Sequence, residues 1–364
     1  MVKAYLMLED GTMLEGTSSG ADGIRLGRAV FNTDSGGYNA ILTDPAYAGQ
    51  VVCMTYPIIG AYGVNFDGCE KKRPYVSGLV ARGIVERPSN WRSELSLPEY
   101  LKSSGTLCLS GVDTRALTRH IRDRGEQACV LWTEDTEVTL EDLKKMMAEY
   151  SAPDITAESC VTEPEEFAPA GDARFSVAVV DLGSAKSLCR ALSSLGMRVT
   201  LCPPGFDALS GEPDGVIFSN GPDGARGIAG LSESAAGIIE SGTPALGIGE
   251  GFCLMAGVAG GSFTDTGRAH RGANLPVTDV GQNRTYITSQ NHSRHLELFS
   301  PDVKTARVSH RNLNDGAAEG LRFNSLPAFG VHFLPDINAR YLGSGYIIRE
   351  LEQMMEEGRA RRCR

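Results

Sequence analysis

The sequence predicts an α/β protein of two domains, and three observations support that prediction. The chain has 364 residues, which is longer than a domain with a single hydrophobic core usually is. Its first 150 residues are rich in short strands and turns, whereas strands and helices alternate from about residue 175. A proline-rich, acidic stretch separates the two regions. We therefore predict domains at 1–150 and 175–364, joined by a linker at 151–174.

Composition and charge narrow the class of protein. The chain has 41% hydrophobic and 22% charged residues, as is usual for globular proteins. Its net charge of −10 argues against nucleic acid and anionic membranes as partners. No apolar run is long enough for a membrane span or a signal peptide, so we expect a cytoplasmic protein. Nine scattered cysteines argue against a disulfide framework and a zinc site.

The first domain is predicted to begin with a hairpin and to contain three helices. The hairpin pairs 4–8 with 12–14 around an Asp-Gly turn. The helices are predicted over 97–103, 114–122 and 140–150. Asp113 is expected to cap the second of them, with Ala116, Leu117 and Ile121 on its apolar face.

The second domain is predicted to be a parallel sheet wrapped by helices. Strands are predicted at 176–181, 198–202, 215–219, 285–289, 304–308 and 328–333, and helices at 186–195, 231–240 and 346–359. Ligands of such sheets bind beyond the carboxyl ends of the strands. The basic end of the chain, 359–364, is interpreted as a solvated helix terminus.

A glycine-spaced turn in the second domain has the form of a nucleophile elbow. A buried strand leads into Gly247-Ile-Gly249-Glu-Gly251, and an apolar helix follows. In this arrangement, small flanking residues allow a strained turn to expose the side chain between them. Gly247 and Gly251 supply the flanks, but the central Gly249 has no side chain that could attack a carbonyl carbon.

A dinucleotide-binding turn is the alternative for the same glycines. Gly247 and Gly249 match the start of that fingerprint, but its third glycine is replaced by Phe252. Glu250 would also face the phosphates. Cofactor binding is therefore not favoured, and no phosphate-binding P-loop motif occurs in the sequence.

Three turns of the second domain are expected to meet at one edge of the sheet. They span 219–225, 247–251 and 332–336. In an amide hydrolase they would supply oxyanion donors, a thiol, and a general base with its orienting carboxylate. Asp223 instead puts a negative charge in the first turn, and Gly249 lacks a nucleophile. Leu334 cannot act as a base, so Asp336 has nothing to orient.

A replacement nucleophile is a further hypothesis. Cys253 lies four residues after Gly249, about one helical turn along, and His292 could be its base. A cysteine early in a buried helix is more often a core residue, and a histidine such as His292 more often has a structural role. The sequence therefore favours a structural role for both residues.

Motifs along nearly the whole chain resemble the small, glutamine amidotransferase subunit of carbamoyl-phosphate synthase. In the first half they occur at 8–12, 31–33, 37–38, 41–45, 55–57, 87–91 and 110–119, and in the second half at 219–222, 247–251, 270–274, 289–292 and 312–316. The resemblance implies an N-terminal strand-rich α/β domain. It also implies a C-terminal class I glutamine amidotransferase-like domain with a mixed, mainly parallel sheet flanked by helices.

The resemblance also implies where the family's functional residues fall. Its Cys-His-Glu triad corresponds to Gly249, Leu334 and Asp336. Its glutamine-binding positions correspond to Ala46, Gly221, Asp223, Glu250, Cys253, Asn291, Ser293 and Arg294, of which Gly221 and Asn291 keep the family's residue. The implied partner is the large subunit of the synthase, to which ATP and magnesium would belong, so that no cofactor or metal is expected in this chain.

These correspondences lead to a hypothesis and two alternatives. The chain is expected to have lost the glutaminase activity and to act as a structural or regulatory partner of a large subunit in pyrimidine or arginine precursor synthesis. The first alternative is a repurposed module that binds another small ligand between Asp223, Glu250 and Arg294. The second is an active glutaminase with a non-standard nucleophile.

Overall fold

A computed structural model describes residues 2–169, 171–297, 305–339 and 343–362. Its internal contacts divide the chain into two compact units. The first comprises Met1–Asp154 with Gly267–Gly272, and the second comprises Ile155–Thr266 with Ala273–Arg364. The change of unit after Asp154 lies inside the predicted linker, 151–174. The assignment of Gly267–Gly272 to the first unit has no counterpart in the sequence-based boundaries.

The first unit is built around a closed β-barrel. Its strands are Lys3–Leu8 (β1), Met13–Ser18 (β2), Ile24–Asn32 (β3), Gln50–Met54 (β4), Ile58–Ile59 (β5), Gly78–Ala81 (β6), Gly83–Ile84 (β7), Leu107–Ser110 (β8) and Gln127–Thr133 (β9). Its helices are Tyr38–Thr43 (α1), Leu97–Ser103 (α2), Thr114–Arg124 (α3) and Leu140–Ala148 (α4). The barrel follows the order β1-β2-β8-β6-β4-β3-β9. The barrel closes where β9 pairs with β1, and β5 pairs with β7 in a separate two-stranded sheet.

Local sequence signals account for most of these elements. The predicted hairpin is confirmed, with Leu6 opposite Leu14 in the β1–β2 ladder. Asp113 caps α3 as predicted, because its side chain accepts a hydrogen bond from the N–H of Ala116 at 3.0 Å. The prediction for the apolar face was wrong at one position. Leu117 is buried, but Ala116 is exposed, since it lies one residue around the helix.

Three of the short elements were not predicted. Helix α1 has six residues, begins after Gly37 and has no side-chain cap, so it carries little local signal. Inside the predicted linker, Thr156–Ser159 (α5) and Glu165–Phe167 (β10) are regular structure. Strand β10 pairs antiparallel with Met197–Cys202 (β12), the edge of the parallel run, so part of the linker belongs to the second sheet.

The second unit contains a ten-stranded mixed sheet, in agreement with the predicted fold class. Its further strands are Phe175–Val180 (β11), Gly215–Phe218 (β13), Ala245–Ile248 (β14), Ser262–Asp279 (β15), Arg284–Glu297 (β16), Ala306–Asn312 (β17), Ala318–Phe323 (β18) and Ala328–Val331 (β19). The order is β10-β12-β11-β13-β14-β19-β18-β16-β15-β17. The central strands β12, β11, β13, β14 and β19 run parallel.

Helices cover both faces of the parallel strands. They are Lys186–Ser194 (α6), Leu231–Glu240 (α7), Glu250–Val258 (α8) and Tyr346–Arg362 (α9). The side chains of β13 point alternately to the two faces of the sheet, so that they contribute to two separate cores. Val216 and Phe218 pack with α7 and α8 on one face, and Ile217 packs with α6 and α9 on the other. This is the arrangement expected of strands that are buried on both faces.

The end of α9 is exposed over 359–362, as its interpretation as a solvated terminus predicts, and 363–364 lie outside the described residues. Two of its cations are also paired. The carboxylate of Asp214 accepts hydrogen bonds from Arg359 Nε at 2.7 Å and from Arg362 Nη2 at 3.0 Å. The terminal cations therefore fasten α9 to the start of β13. None of the helices in the described ranges is both long enough and apolar enough to span a bilayer.

Candidate functional site

The elbow forms where β14 ends and α8 begins. Between them, Gly249 has φ 58° and ψ −113°, a conformation that residues with side chains adopt only under strain. Gly251 is required for a different reason. A Cβ there would overlap the backbone carbonyl oxygen of Phe218, against which the first turn of α8 packs. The glycine spacing of the sequence therefore corresponds to an actual strand–turn–helix elbow.

The side chain of Asn220 occupies the space above Gly249. A Cβ at position 249 would overlap the Asn220 carboxamide, with Oδ1 as the nearest atom. That oxygen also accepts a hydrogen bond from the backbone N–H of Glu250 at 3.1 Å. Asn220 thus fills the volume where an elbow side chain would project, and it satisfies one of the N–H groups at the start of α8.

The turns that follow β13, β14 and β19, together with residues of α8 and β16, line one cavity at the carboxyl edge of the parallel strands. Its lining residues are Asn220, Gly221, Asp223, Gly249, Glu250, Cys253, Asn291, His292, Arg294, His332 and Leu334. The cavity volume is about 20 Å³, slightly more than the roughly 10–15 Å³ that one water molecule requires. In this conformation the site admits a molecule of one or two heavy atoms.

The structure brings most of the predicted site residues together, but not all of them. Leu334 lines the cavity, whereas Asp336 is exposed and is not among the residues that line it. Ser293 is buried on β16 and also lies outside the lining. Ala46 belongs to the first unit, in a short 3₁₀ helix, Pro45–Tyr47.

A thiol–imidazole pair lies at the base of this cavity. Cys253 Sγ is 3.4 Å from Nε2 of His332, and both residues are buried. His332, which the hypothesis did not include, therefore contacts the thiol. The His332 ring packs against Phe252 with centroids 4.9 Å apart, which fixes its orientation beside α8.

A second histidine and a carboxylate extend this pair. The rings of His292 and His332 stack with centroids 3.5 Å apart and planes inclined by 19°. His292 Nε2 lies 3.4 Å from Oε2 of the fully buried Glu319. The side chain of Asn312 donates to the other carboxylate oxygen of Glu319 at 3.4 Å. The result is a continuous thiol–imidazole–imidazole–carboxylate cluster, which we call the Cys253 cluster.

Sequence reasoning missed His332 and Glu319, although one signal for His332 was available. In an extended segment, residues two apart point to the same side. His332 precedes Leu334 by two positions, so a cavity-facing Leu334 implies a cavity-facing His332. Glu319 carries no comparable signal, since it reaches the cluster only because β18 pairs with β19.

Comparison with known proteins identifies the second unit as a class of domain. The family model described as "Glutamine amidotransferase class-I" matches residues 178–354. This unit is therefore a class-I glutamine amidotransferase domain. The model described as "Carbamoyl-phosphate synthase small chain, CPSase domain" matches residues 6–131, in the first unit.

Relatives that match nearly end to end define the family. A carbamoyl phosphate synthase small chain of Syntrophotalea carbinolica is 36% identical, covering 98% of this chain and 99% of that protein. One of Clostridium acetobutylicum is 37% identical, with 92% and 95% covered, and one of Streptomyces coelicolor is 36% identical, with 98% and 97% covered. The chain belongs to the carbamoyl-phosphate synthase small-chain family.

Proposed function

We propose that this chain is a synthase small chain without glutaminase activity. It acts as a structural or regulatory partner of a large chain that uses free ammonia for pyrimidine or arginine precursors. The observation that carries the proposal is the elbow itself, where Gly249 has no side chain and the Asn220 carboxamide lies in the space above it. Position 249 therefore offers no nucleophile, and a side chain introduced there would have to displace Asn220.

The surroundings of the elbow support the same conclusion. Amide hydrolysis through a thiol needs a general base and hydrogen-bond donors for the oxyanion. Leu334 supplies no base, and the Glu250 N–H already donates to Asn220. Members of a catalytic unit act together, so losing the nucleophile and the base removes nearly all of the rate.

The size of the cavity argues against glutamine as a ligand. Pockets for small organic ligands usually enclose about 300–1,000 Å³, whereas this cavity measures about 20 Å³. The same comparison weakens the hypothesis of a repurposed ligand site between Asp223, Glu250 and Arg294. Binding an amino acid there would require the site to open.

Preservation of the small-chain architecture supports a large-chain partner. The relatives are named as small chains, and the chain covers almost their whole length. The first unit also matches the model described as "Carbamoyl-phosphate synthase small chain, CPSase domain". We assign ATP and magnesium to the large chain, so this chain would need neither a cofactor nor a metal of its own.

Reconstitution with the large chain from the same organism tests the proposal. We expect the two chains to co-elute and to make carbamoyl phosphate from ammonia, without releasing glutamate from glutamine. Failure to bind any large chain would refute the partnership. Glutamate release that disappears in Cys253→Ala would refute the inactive site and establish the non-standard nucleophile instead.

A second candidate function rests on a larger cleft in the first unit. This cleft encloses about 650 Å³ and is lined by hydroxyl and charged side chains, among them Ser18, Ser19, Glu86 and Lys102. Its volume is in the range of small-ligand pockets. A thermal-shift screen would test it, because a ligand at 100 times its dissociation constant stabilises by about 2.7 kcal/mol.

A further inference from the structure

The Cys253 cluster has the features of a reactive thiol, although the proposed function does not use it. Cys253 is the fourth residue of the nine-residue helix α8, whose N-terminus carries a partial positive charge. Its sulfur is 3.4 Å from the His332 imidazole, which can accept the thiol proton. Thiols beside a histidine and near a helix N-terminus form the thiolate more readily than ordinary core cysteines.

Other charged groups line the same cavity, and some of them favour a Cys253 thiolate whereas others disfavour it. The carboxylates of Asp223 and Glu250 disfavour a thiolate, whereas the guanidinium of Arg294 favours it. Electrostatic attraction decreases with distance, and the His332 ring, 3.4 Å from the sulfur, is the nearest group that can carry a compensating positive charge.

The cavity restricts which molecules can reach the sulfur. Cys253 is only 2% exposed, and the space it faces is about 20 Å³. A molecule of one or two heavy atoms fits this space, whereas a branched organic molecule does not. The side chains of Asn220 and Asn291 line the same space and offer hydrogen bonds to a small polar guest.

We propose that Cys253 and His332 form a thiolate–imidazolium pair that reduces hydrogen peroxide and becomes a sulfenic acid. This reaction goes beyond the proposed function, because it requires neither glutamine nor a large chain. The peroxide class is chosen because it is an electrophile of two heavy atoms, the size that the cavity admits.

The step balances with these groups alone. The Cys253 thiol first transfers its proton to Nε2 of His332. The thiolate attacks one peroxide oxygen, so that an S–O bond forms while the O–O bond breaks. The leaving hydroxide takes the proton from His332 and departs as water. The sulfur is oxidised by two electrons, and one peroxide molecule is reduced, so that one of its oxygens is retained in the sulfenic acid and the other is released as water.

Site-resolved mass spectrometry of the full chain tests the proposal. The folded protein is treated with hydrogen peroxide, the peroxide is removed with catalase, and the chain is then unfolded in denaturant that contains dimedone, so that the trap reaches every sulfenic acid. Cys202 is the internal control, because it is also buried and burial raises its pKa to about 11. We expect labelling at Cys253 to be at least about tenfold faster than at Cys202. Equal rates would overturn the proposal.

Two further comparisons separate the pair from simple exposure. His332→Gln should slow labelling of Cys253 about tenfold and leave Cys202 unchanged. An unchanged rate at Cys253 in the folded variant would refute the role of His332. In the unmodified chain, oxidation at Cys253 is measured as a ratio to oxidation at the more exposed Cys160. This ratio should be at least about tenfold lower with tert-butyl hydroperoxide than with hydrogen peroxide. Absence of this size preference would refute reaction inside the cavity.

Discussion

Replacing Gly249 by cysteine would place a thiol at the elbow, but we expect the variant to be less stable and unable to hydrolyse glutamine. Two contributions to its stability can be read from the structure. A side chain at φ 58° costs about 1–3 kcal/mol. The new side chain must also displace the Asn220 carboxamide, which breaks its hydrogen bond with the Glu250 N–H and costs about 1 kcal/mol or more.

Together these contributions predict a loss of about 2–4 kcal/mol. For a domain of this size, each kcal/mol lowers Tm by about 2–4 °C, so the expected decrease is about 4–16 °C. Gly257→Ala is the matched control. Gly257 lies in the same helix with open space around it, and alanine there should raise stability by about 0.5–1 kcal/mol.

Calorimetry of the purified chain and glutamate release in the presence of a large chain are the two assays. Gly249→Cys should release no glutamate, because Leu334 cannot accept a proton. Adding Leu334→His supplies the minimum set of groups, although Asp223 still opposes an oxyanion. A Gly249→Cys protein as stable as the parent would refute the role of Asn220. Glutamine hydrolysis by the single variant would show that another base reaches the elbow.

Two further predictions concern stability. Burial alone would raise the pKa of Asp214, but hydrogen bonds from Arg359 and Ser176, with the nearby guanidinium charges, hold it below its ordinary value. Since the folded pKa is the lower one, this stabilisation is present above about pH 4 and is lost as the pH falls through the folded pKa. In denaturant titrations, Arg359→Ala should lower the free energy of unfolding by about 1 kcal/mol at pH 7 and by progressively less in acid. Arg361 is more exposed, so Arg361→Ala should change this free energy almost not at all. An equal loss at both positions would contradict the assignment. Gly251→Ala should destabilise by about 3 kcal/mol, because its Cβ meets a backbone carbonyl that cannot rotate away, and a Tm within about 2 °C of the parent would refute that packing.

The sequence predicted those parts of the fold that depend on local patterns. The alternation after residue 175 gave the strands and helices of the second unit, and Asp113 marked the start of α3. Helix α1 was missed because six residues after a glycine pair carry little periodicity. Strand β10 was missed because its place depends on pairing with β12, which composition does not encode.

The candidate site could be predicted only in part for a similar reason. Glycine spacing and the resemblance located the elbow and the lining positions around Cys253. The contact between Cys253 and His332 joins residues 79 positions apart in the sequence, and it depends on how α8 packs on β19. The role of Asn220 was likewise hidden, since its sequence context indicated a turn and not the direction of its side chain.

The position of Asn220 also bears on how the elbow could gain a nucleophile. Because its carboxamide fills the space above Gly249, a cysteine introduced at that position must displace a neighbour. On the proposed function, such a cysteine gains no activity until Leu334 is also replaced by a base. The first substitution would therefore lower stability without producing the chemistry.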